Sequence, residues 1–253
     1  MEYYDFPVEI NGLAVHARFS RENIEGIFLP LLRSWTAMQR EKRRRILVML
    51  AAPPGTGKTT LALFLAHLSR ETPGLCPVTA IGMDGFHRRQ EYLLAHTALR
   101  DGKAVPMVQV KGAPETFDLD ALRERVALAA SGADCPWPEY DRLLHNPVEN
   151  ALRVQGDIVL LEGNYLLLDA DGWRELRRYA DSTVRITADP TLLRERLIER
   201  KTASGTPRAE AERFVDFSDL PNAELCLGHS LDAALTLSLS EDGSYLAESA
   251  EIP

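Results

Sequence analysis

Ala52-Pro-Pro-Gly-Thr-Gly-Lys-Thr-Thr60 joins the most apolar run of the chain, Arg45 to Ala52 (RILVMLAA), to the stretch Thr59 to Ser69, which sets Leu61, Phe64, Leu65 and Leu68 on one helical stripe. A continuous apolar run of that length is what a strand buried on both faces of a parallel sheet requires. Between such a strand and a helix, Gly55 and Gly57 allow backbone N–H groups to turn inward around phosphate oxygens, and the helix N-terminus adds partial positive charge. Pro54, Gly55, Thr56, Gly57, Lys58, Thr59 and Thr60 therefore read as a phosphate cradle, with Lys58 reaching the β and γ phosphates of a nucleotide and the Thr59 hydroxyl available to magnesium. The full pattern has glycine where Ala52 stands; the extra methyl crowds the turn but removes no phosphate donor. A bare Gly-rich turn is the bland alternative, and the strand-loop-helix placement argues against it.

Working outward, strand and helix patterns alternate. Val78 to Met83, Asp157 to Leu161, Thr183 to Thr187 and Leu231 to Leu237 read as further strands, with Gly243 able to turn the last one into an edge hairpin. Leu119 to Ala130, Gly172 to Tyr179 and Pro190 to Lys201 read as helices, the last with Asp189 at the N-cap and Pro190 at the first helical position. Ahead of them, Val8 to Ala17 predicts a small hairpin turning at Asn11-Gly12, and Ile27 to Gln39 a helix. The basic run Lys42 to Arg45 reads as a solvated turn. The expectation is an α/β fold with three layers, a parallel central sheet, and a hairpin-and-helix extension over residues 1–44 before a domain over 45–253.

Of the 253 residues, 45% are hydrophobic and 26% charged, ordinary globular usage that excludes a disordered or fibrous chain. Lys and Arg number 29 against 37 Asp and Glu, so the formal charge is −8, the wrong sign for an electrostatic nucleic-acid binder. A local basic groove from Arg88, Arg89 and Arg100 stays open as an exception. Cys76, Cys135 and Cys226 are far apart, with neither zinc spacing nor a disulfide framework. With no signal-like N-terminus and no apolar stretch of spanning length, the expected setting is the cytoplasm, with no membrane and no nucleic acid as partner.

Two absences narrow the class. No Asn-Lys-x-Asp segment marks a guanine switch, and the strand ending Leu160-Leu161-Glu162-Gly163-Asn164 lacks the Asp-Glu of a remodelling ATPase. Met83-Asp84-Gly85-Phe86-His87 places a carboxylate at a strand's C-terminal end, beside the crevice where ligands of open α/β sheets collect. There Asp84 can take a proton from an attacking hydroxyl, or merely cap the turn before Gly85.

Ala52 to Thr59, Asp84-Gly85-Phe86-His87, Lys111-Gly112-Ala113-Pro114-Glu115-Thr116-Phe117-Asp118, Tyr140-Asp141-Arg142 with His145, and Leu161-Glu162-Gly163 together resemble the pantothenate kinase, uridine kinase and phosphoribulokinase family, over roughly Ile46 to Leu237. Within it the chain is most similar to a bacterial branch of sugar or nucleoside kinases, some linked to fructose uptake. The resemblance implies a P-loop fold with a helical lid, ATP and Mg2+ as cofactors, transfer to a hydroxyl of a small molecule such as a sugar, nucleoside or pantothenate-like acceptor, and a tendency to self-associate as a homodimer. It makes Asp84, Lys58 and the lid's Arg200 catalytic, Thr59 and Glu162 the magnesium residues, and Asp84, His87, Tyr140 and His145 the acceptor site.

Each has a plainer reading. Tyr140 can be a core tyrosine and His145 a surface histidine, His87 a local hydrogen-bonding residue, Glu162 a loop acid, and Asp118 a helix cap. Helical pairing with Glu195 and Glu199 can account for Arg196 and Arg200, and Arg194 and Arg208 share the lid region. A nucleotide-gated regulatory NTPase without an acceptor is the alternative function. Asp84 with Tyr140 and His145 distinguishes the two, because a switch needs no acceptor site. Residues 88–110 match no single acceptor site of the family.

Overall fold

A computed structural model describes residues 2–10, 13–100, 102–142 and 144–248. The chain opens with a two-stranded antiparallel hairpin, β1 (Tyr3–Ile10) and β2 (Leu13–Ser20), and the expected Asn11-Gly12 turn lies outside the described residues. A helical segment follows: α1 (Arg21–Asn23), a π-wound turn Ile24–Phe28, and α2 (Leu29–Lys42). Next come β3 (Ile46–Ala51), α3 (Lys58–Glu71), β4 (Val78–Gly82), α4 (Gln90–Ala95), and the short pair β5 (Thr97–Arg100) and β6 (Lys103–Pro106). Then α5 (Leu119–Ala130) precedes a second hairpin, β7 (Cys135–Asp141) with β8 (Asn146–Val154), and β9 (Ile158–Gly163). The chain continues through β10 (Ser182–Ala188), α6 (Pro190–Ala203), α7 (Arg208–Phe214), α8 (Leu220–Gly228), β11 (Leu235–Leu239) and β12 (Tyr245–Ala247).

The central sheet runs β12-β11-β10-β3-β9-β4, parallel except for the edge strand β12. β3 shows why its run is apolar throughout. Ile46, Val48 and Leu50 enter one core with Trp35 of α2 and Phe64 of α3, while Leu47, Met49 and Ala51 enter a second with Leu122 and Val126 of α5, Tyr165 and Trp173. Period-2 alternation thus feeds two helical layers, and the expected three-layer α/β fold is the one observed. The hairpin joins the first core: the Phe19 and Phe64 rings stack 4.0 Å apart, and Phe6 meets Phe64 edge-on at 5.2 Å.

Some expectations need correction. Gly172 to Tyr179 is no α-helix; only Arg174–Tyr179 winds, as a 3-10 turn that buries Leu176. The last core strand begins at Leu235, not Leu231. The basic run is a clamp more than a solvated turn: Lys42 and Arg44 pair with Asp181 at 2.5 and 2.6 Å, and Arg45, only 8% exposed, reaches Asp134, Ala133 O and Gly156 O. Arg88 and Arg89 line a groove that also carries Glu91, Asp118, Glu124 and Glu149, so it is of mixed charge, and Arg100 lies outside it, paired with Glu115. Among the described residues no helix is long and apolar enough to cross a membrane.

Candidate active site

At the C-terminal end of β3 the chain makes the cradle. Gly55 and Gly57 take φ values of +90° and +79°, where only glycine is unstrained. Gly57 caps α3 without any side-chain hydrogen bond, so the first-turn amides are left for an anion. Space matters as well as conformation: a Cβ on Gly55 would sit 3.2 Å from Leu197 Cγ and 3.3 Å from Leu193 O. Helix α6 therefore lies directly against the cradle and carries Arg196 and Arg200 to it.

β4 delivers Asp84 at its tip, in a 3-10 turn over Met83–Phe86. That turn backs onto the second hairpin so closely that a Cβ on Gly85 would fall 2.0 Å from Pro138 O. Trp137 Nε1 donates to Gly82 O at 2.8 Å, clamping β7 to the end of β4. The clamp brings Tyr140 to the same side as Asp84.

Three adjoining cavities result. One of about 660 Å3 is lined by Pro54, Lys58, Asp84, His87, Tyr140, His145 and Arg200, among others. One of about 230 Å3 is lined by Gly55, Gly57, Lys58, Thr59, Thr60 and Arg200. One of about 160 Å3 lies beside Thr59, Asp84, Tyr140 and Glu162. Nearly every site residue expected from sequence is thus brought to one place; Thr56 is the exception, buried with its hydroxyl donating back to Pro53 O at 2.9 Å.

Thr59 Oγ1 donates to Glu162 Oε1 at 2.8 Å, joining α3 to β9 at the site. Glu162 is 5% exposed, and burial together with the Asp84 charge pushes its carboxyl up to about 7, while Lys58 and the Thr59 bond pull the other way. A hydroxyl and a carboxylate side by side suit Mg2+, which keeps waters and nucleotide oxygens in its shell and needs few protein ligands. No group of three or more metal-binding side chains exists among the described residues, and this ion requires none.

His87 is neutral, its imidazole pushed down to about 4 chiefly by burial, and the edge contacts with Phe117 at 4.0 Å and Tyr140 at 5.2 Å fix its ring. Burial likewise raises the Tyr140 phenol to about 12, so it keeps its proton. Arg194 pairs with Asp216, and Arg208 with Glu212 and Glu195, which places both in surface networks. Arg196 and Arg200 depart from the pairing reading: neither forms an ion pair among the described residues, and both line the cradle cavity. Asp118 is the cap expected of it, accepting from Ala121 N at 3.2 Å.

Among the residues of the site that escaped the sequence reading are Lys111, Arg142, Asn164 and, from the N-terminal hairpin, Ile10 and Val15. The first two sit inside motifs quoted above, and Asn164 follows Glu162-Gly163 directly. Nothing in the sequence signals that Ile10 and Val15 would border the cradle.

No family model matches the chain. It is 43% identical to the uncharacterized protein YggC of Escherichia coli over 93% of this chain and 96% of that one. It is 31% identical to "Putative uridine kinase C227.14" of Schizosaccharomyces pombe, covering 71% of this chain and 77% of that one. Among solved structures, the "putative fructose transport system kinase" of Silicibacter superposes with a TM-score of 0.68 at 32% identity, over 76% of this chain and 89% of that one.

Proposed function

Because the chain belongs to the P-loop kinase family that contains the uridine and pantothenate kinases, phosphotransferases acting on a hydroxyl of a small molecule, we propose that it moves the γ-phosphoryl group of ATP to a hydroxyl of a small polar metabolite held in the 660 Å3 cavity. The observation that carries this reading is that Lys58 of the cradle and Asp84 of the strand tip line one continuous cavity.

In this reading the amides of residues 54–60 wrap the phosphate tail, and Lys58 and Arg200 offset charge that builds on the transferred oxygens. Thr59 and Glu162 would hold Mg2+, which would supply positive charge to offset the charge of the phosphate tail. Glu162, whose carboxyl burial pushes up to about 7, would serve that cation in its ionised form. Asp84 orients the acceptor hydroxyl and takes its proton as the new O–P bond forms and the bond to the β-phosphate oxygen breaks, ADP leaving with the electron pair. His87, Tyr140 and His145 hold the acceptor. Helix α6, seated on Gly55, excludes water. Three free cysteines fit a reducing setting, and we place the protein in the cytoplasm.

The test is to incubate the protein with ATP, Mg2+ and a pool of sugars, sugar acids, nucleosides and vitamins, and to look by mass spectrometry for a metabolite that gains one phosphate. ADP release that never depends on an acceptor overturns the reading in favour of a nucleotide-gated module.

A further inference from the structure

The N-terminal hairpin extends further along the site than its packing on α3 requires. Tyr4 OH and His67 Nε2 share a hydrogen bond at 2.8 Å, and Phe6 meets Phe64, so β1 runs back along α3 toward the cradle. A strand advances about 3.3 Å per residue and a helix about 1.5 Å. From Tyr4 to Ile10 the strand thus covers about 20 Å, while from His67 back to Thr59 the helix covers about 12 Å. The far end of β1 therefore overshoots the first turn of α3, whose amides face the phosphate tail.

Period-2 alternation fixes what the hairpin presents there. Phe6, Val8 and Ile10 share one face with Val15, Ala17 and Phe19, because Phe6 pairs with Ala17 and Val8 with Val15. Phe6, Ala17 and Phe19 enter the first core, whereas Ile10 and Val15, half-buried, line the 230 Å3 cavity opposite Lys58, Thr59, Arg196 and Arg200. Ile10 also lines the 160 Å3 cavity with Thr59, Asp84 and Glu162, so one aliphatic side chain borders both the cradle and the proton acceptor. An aliphatic group gives a phosphate neither a hydrogen bond nor a charge. Set among hydroxyl, ammonium and guanidinium groups, it denies space to water.

Water is the competing acceptor at such a site. Its oxygen can attack the γ-phosphorus as its proton passes to Asp84 and the bond to the β-phosphate oxygen breaks, ADP leaving with the electron pair and inorganic phosphate as the product. Helix α6 covers the cradle at Gly55, and Ile10 lies on the side of Thr59 and Glu162. We propose that Ile10, with Val15 in support, is a specificity-determining residue against water: it walls off the hairpin side of the site, so that Asp84 meets the acceptor hydroxyl and not bulk solvent. The proposal rests on the kinase reading above for the placing of the phosphate tail and for the role of Asp84.

Release of inorganic phosphate from radiolabelled ATP by the whole protein, with Mg2+ and no acceptor, tests this. Ile10→Thr, which keeps a β-branched side chain and adds a hydroxyl, and Ile10→Ala, which opens space, are each expected to raise the rate about tenfold with the KM for ATP within about threefold of wild type. Ile10→Leu should keep the wild-type rate, and Val15→Ala should give a smaller rise of the same sign. Val8→Ala, one step back on the same face, should change nothing. A merely structural role would lower phosphate release or raise KM in all of these variants alike. Release by Ile10→Thr and Ile10→Ala at or below the wild-type rate overturns the proposal, and an equal rise in Val8→Ala overturns the assignment to Ile10. The kinase reading is judged separately by the metabolite pool: a wild-type protein that phosphorylates none of it fails that reading, while the Ile10 comparison still reports on water, since it needs only ATP and Mg2+.

Discussion

Replacing Glu162 with glutamine is expected to make the ligand-free protein more stable at neutral pH while it loses magnesium-nucleotide binding. The carboxyl is 5% exposed and pushed from 4.5 to about 7, chiefly because burial strips water from the charged form. In the unfolded chain it ionises at its ordinary value, so between those two pH values the folded protein holds a proton that the unfolded one has lost. The group's contribution is full below pH 4.5 and is lost as pH rises through about 7. At about 1.4 kcal/mol per pH unit, that interval amounts to about 3 kcal/mol. His87 works in the opposite sense over nearly the same range. Lowered from 6.5 to about 4, its contribution is present above pH 6.5 and lost as pH falls through 4. The two slopes oppose each other in the wild type, and Glu162→Gln removes the glutamate's. Urea unfolding without nucleotide or magnesium, at pH 5 and pH 8, reads the difference. The variant should lie within about 1 kcal/mol of wild type at pH 5 and exceed it by about 1 to 3 kcal/mol at pH 8, the lower figure allowing for the amide NH2 that glutamine must itself bury. Titration of magnesium and ATP should show affinity falling tenfold or more, since Thr59 no longer has an anionic neighbour with which to hold the cation. A variant less stable than wild type at pH 8, or one that binds magnesium-ATP unchanged, refutes the reasoning.

Lys58→Ala and Asp84→Asn should each lower the rate of phosphoryl transfer by about a hundredfold or more, an electrostatic contact of this kind being worth a few kcal/mol; steady-state turnover on the identified acceptor measures it. Gly85→Ala puts a methyl 2.0 Å from Pro138 O and must part the Asp84 turn from β7, so kcat should fall well before the KM for ATP rises, with about 1 to 3 kcal/mol lost in urea unfolding. Val15→Asp sets a carboxylate at the hairpin's edge of the cradle cavity, and the KM for ATP should rise about tenfold while the melting temperature, read by circular dichroism, stays within a few degrees. An unchanged KM would mean that Val15 does not lie beside the nucleotide.

Residues 52–60 could be understood from their own neighbours, since a strand, a Gly-rich turn and a helix start are signals carried by adjacent residues. The same holds for Asp84 at a strand tip, for Asp118 and Asp189 at helix starts, and for the alternation of β3 between two cores. The second hairpin was not legible. Pro136 and Pro138 deny β7 two ladder donors, and a register irregularity lies between Trp137 and Glu139, so a pattern search passes over it. Helices α7 and α8 flank a π-wound turn, Val215–Asp219, that breaks the helical period across them.

From sequence alone came the phosphate cradle, the parallel sheet that presents it, and the class of acid beside it, because each depends on residues near one another in the chain. Folding decided the rest. Lys111 meets Tyr140 across 29 positions, Thr59 meets Glu162 across 103, and the tip of β1 comes to rest beside residues of α3 and α6. Such meetings depend on which helix faces which strand end, on the fit of α6 against Gly55 and on the closeness of Pro138 to Gly85. Those are properties of packing, where one added methyl would move the partner, and no local periodicity encodes them.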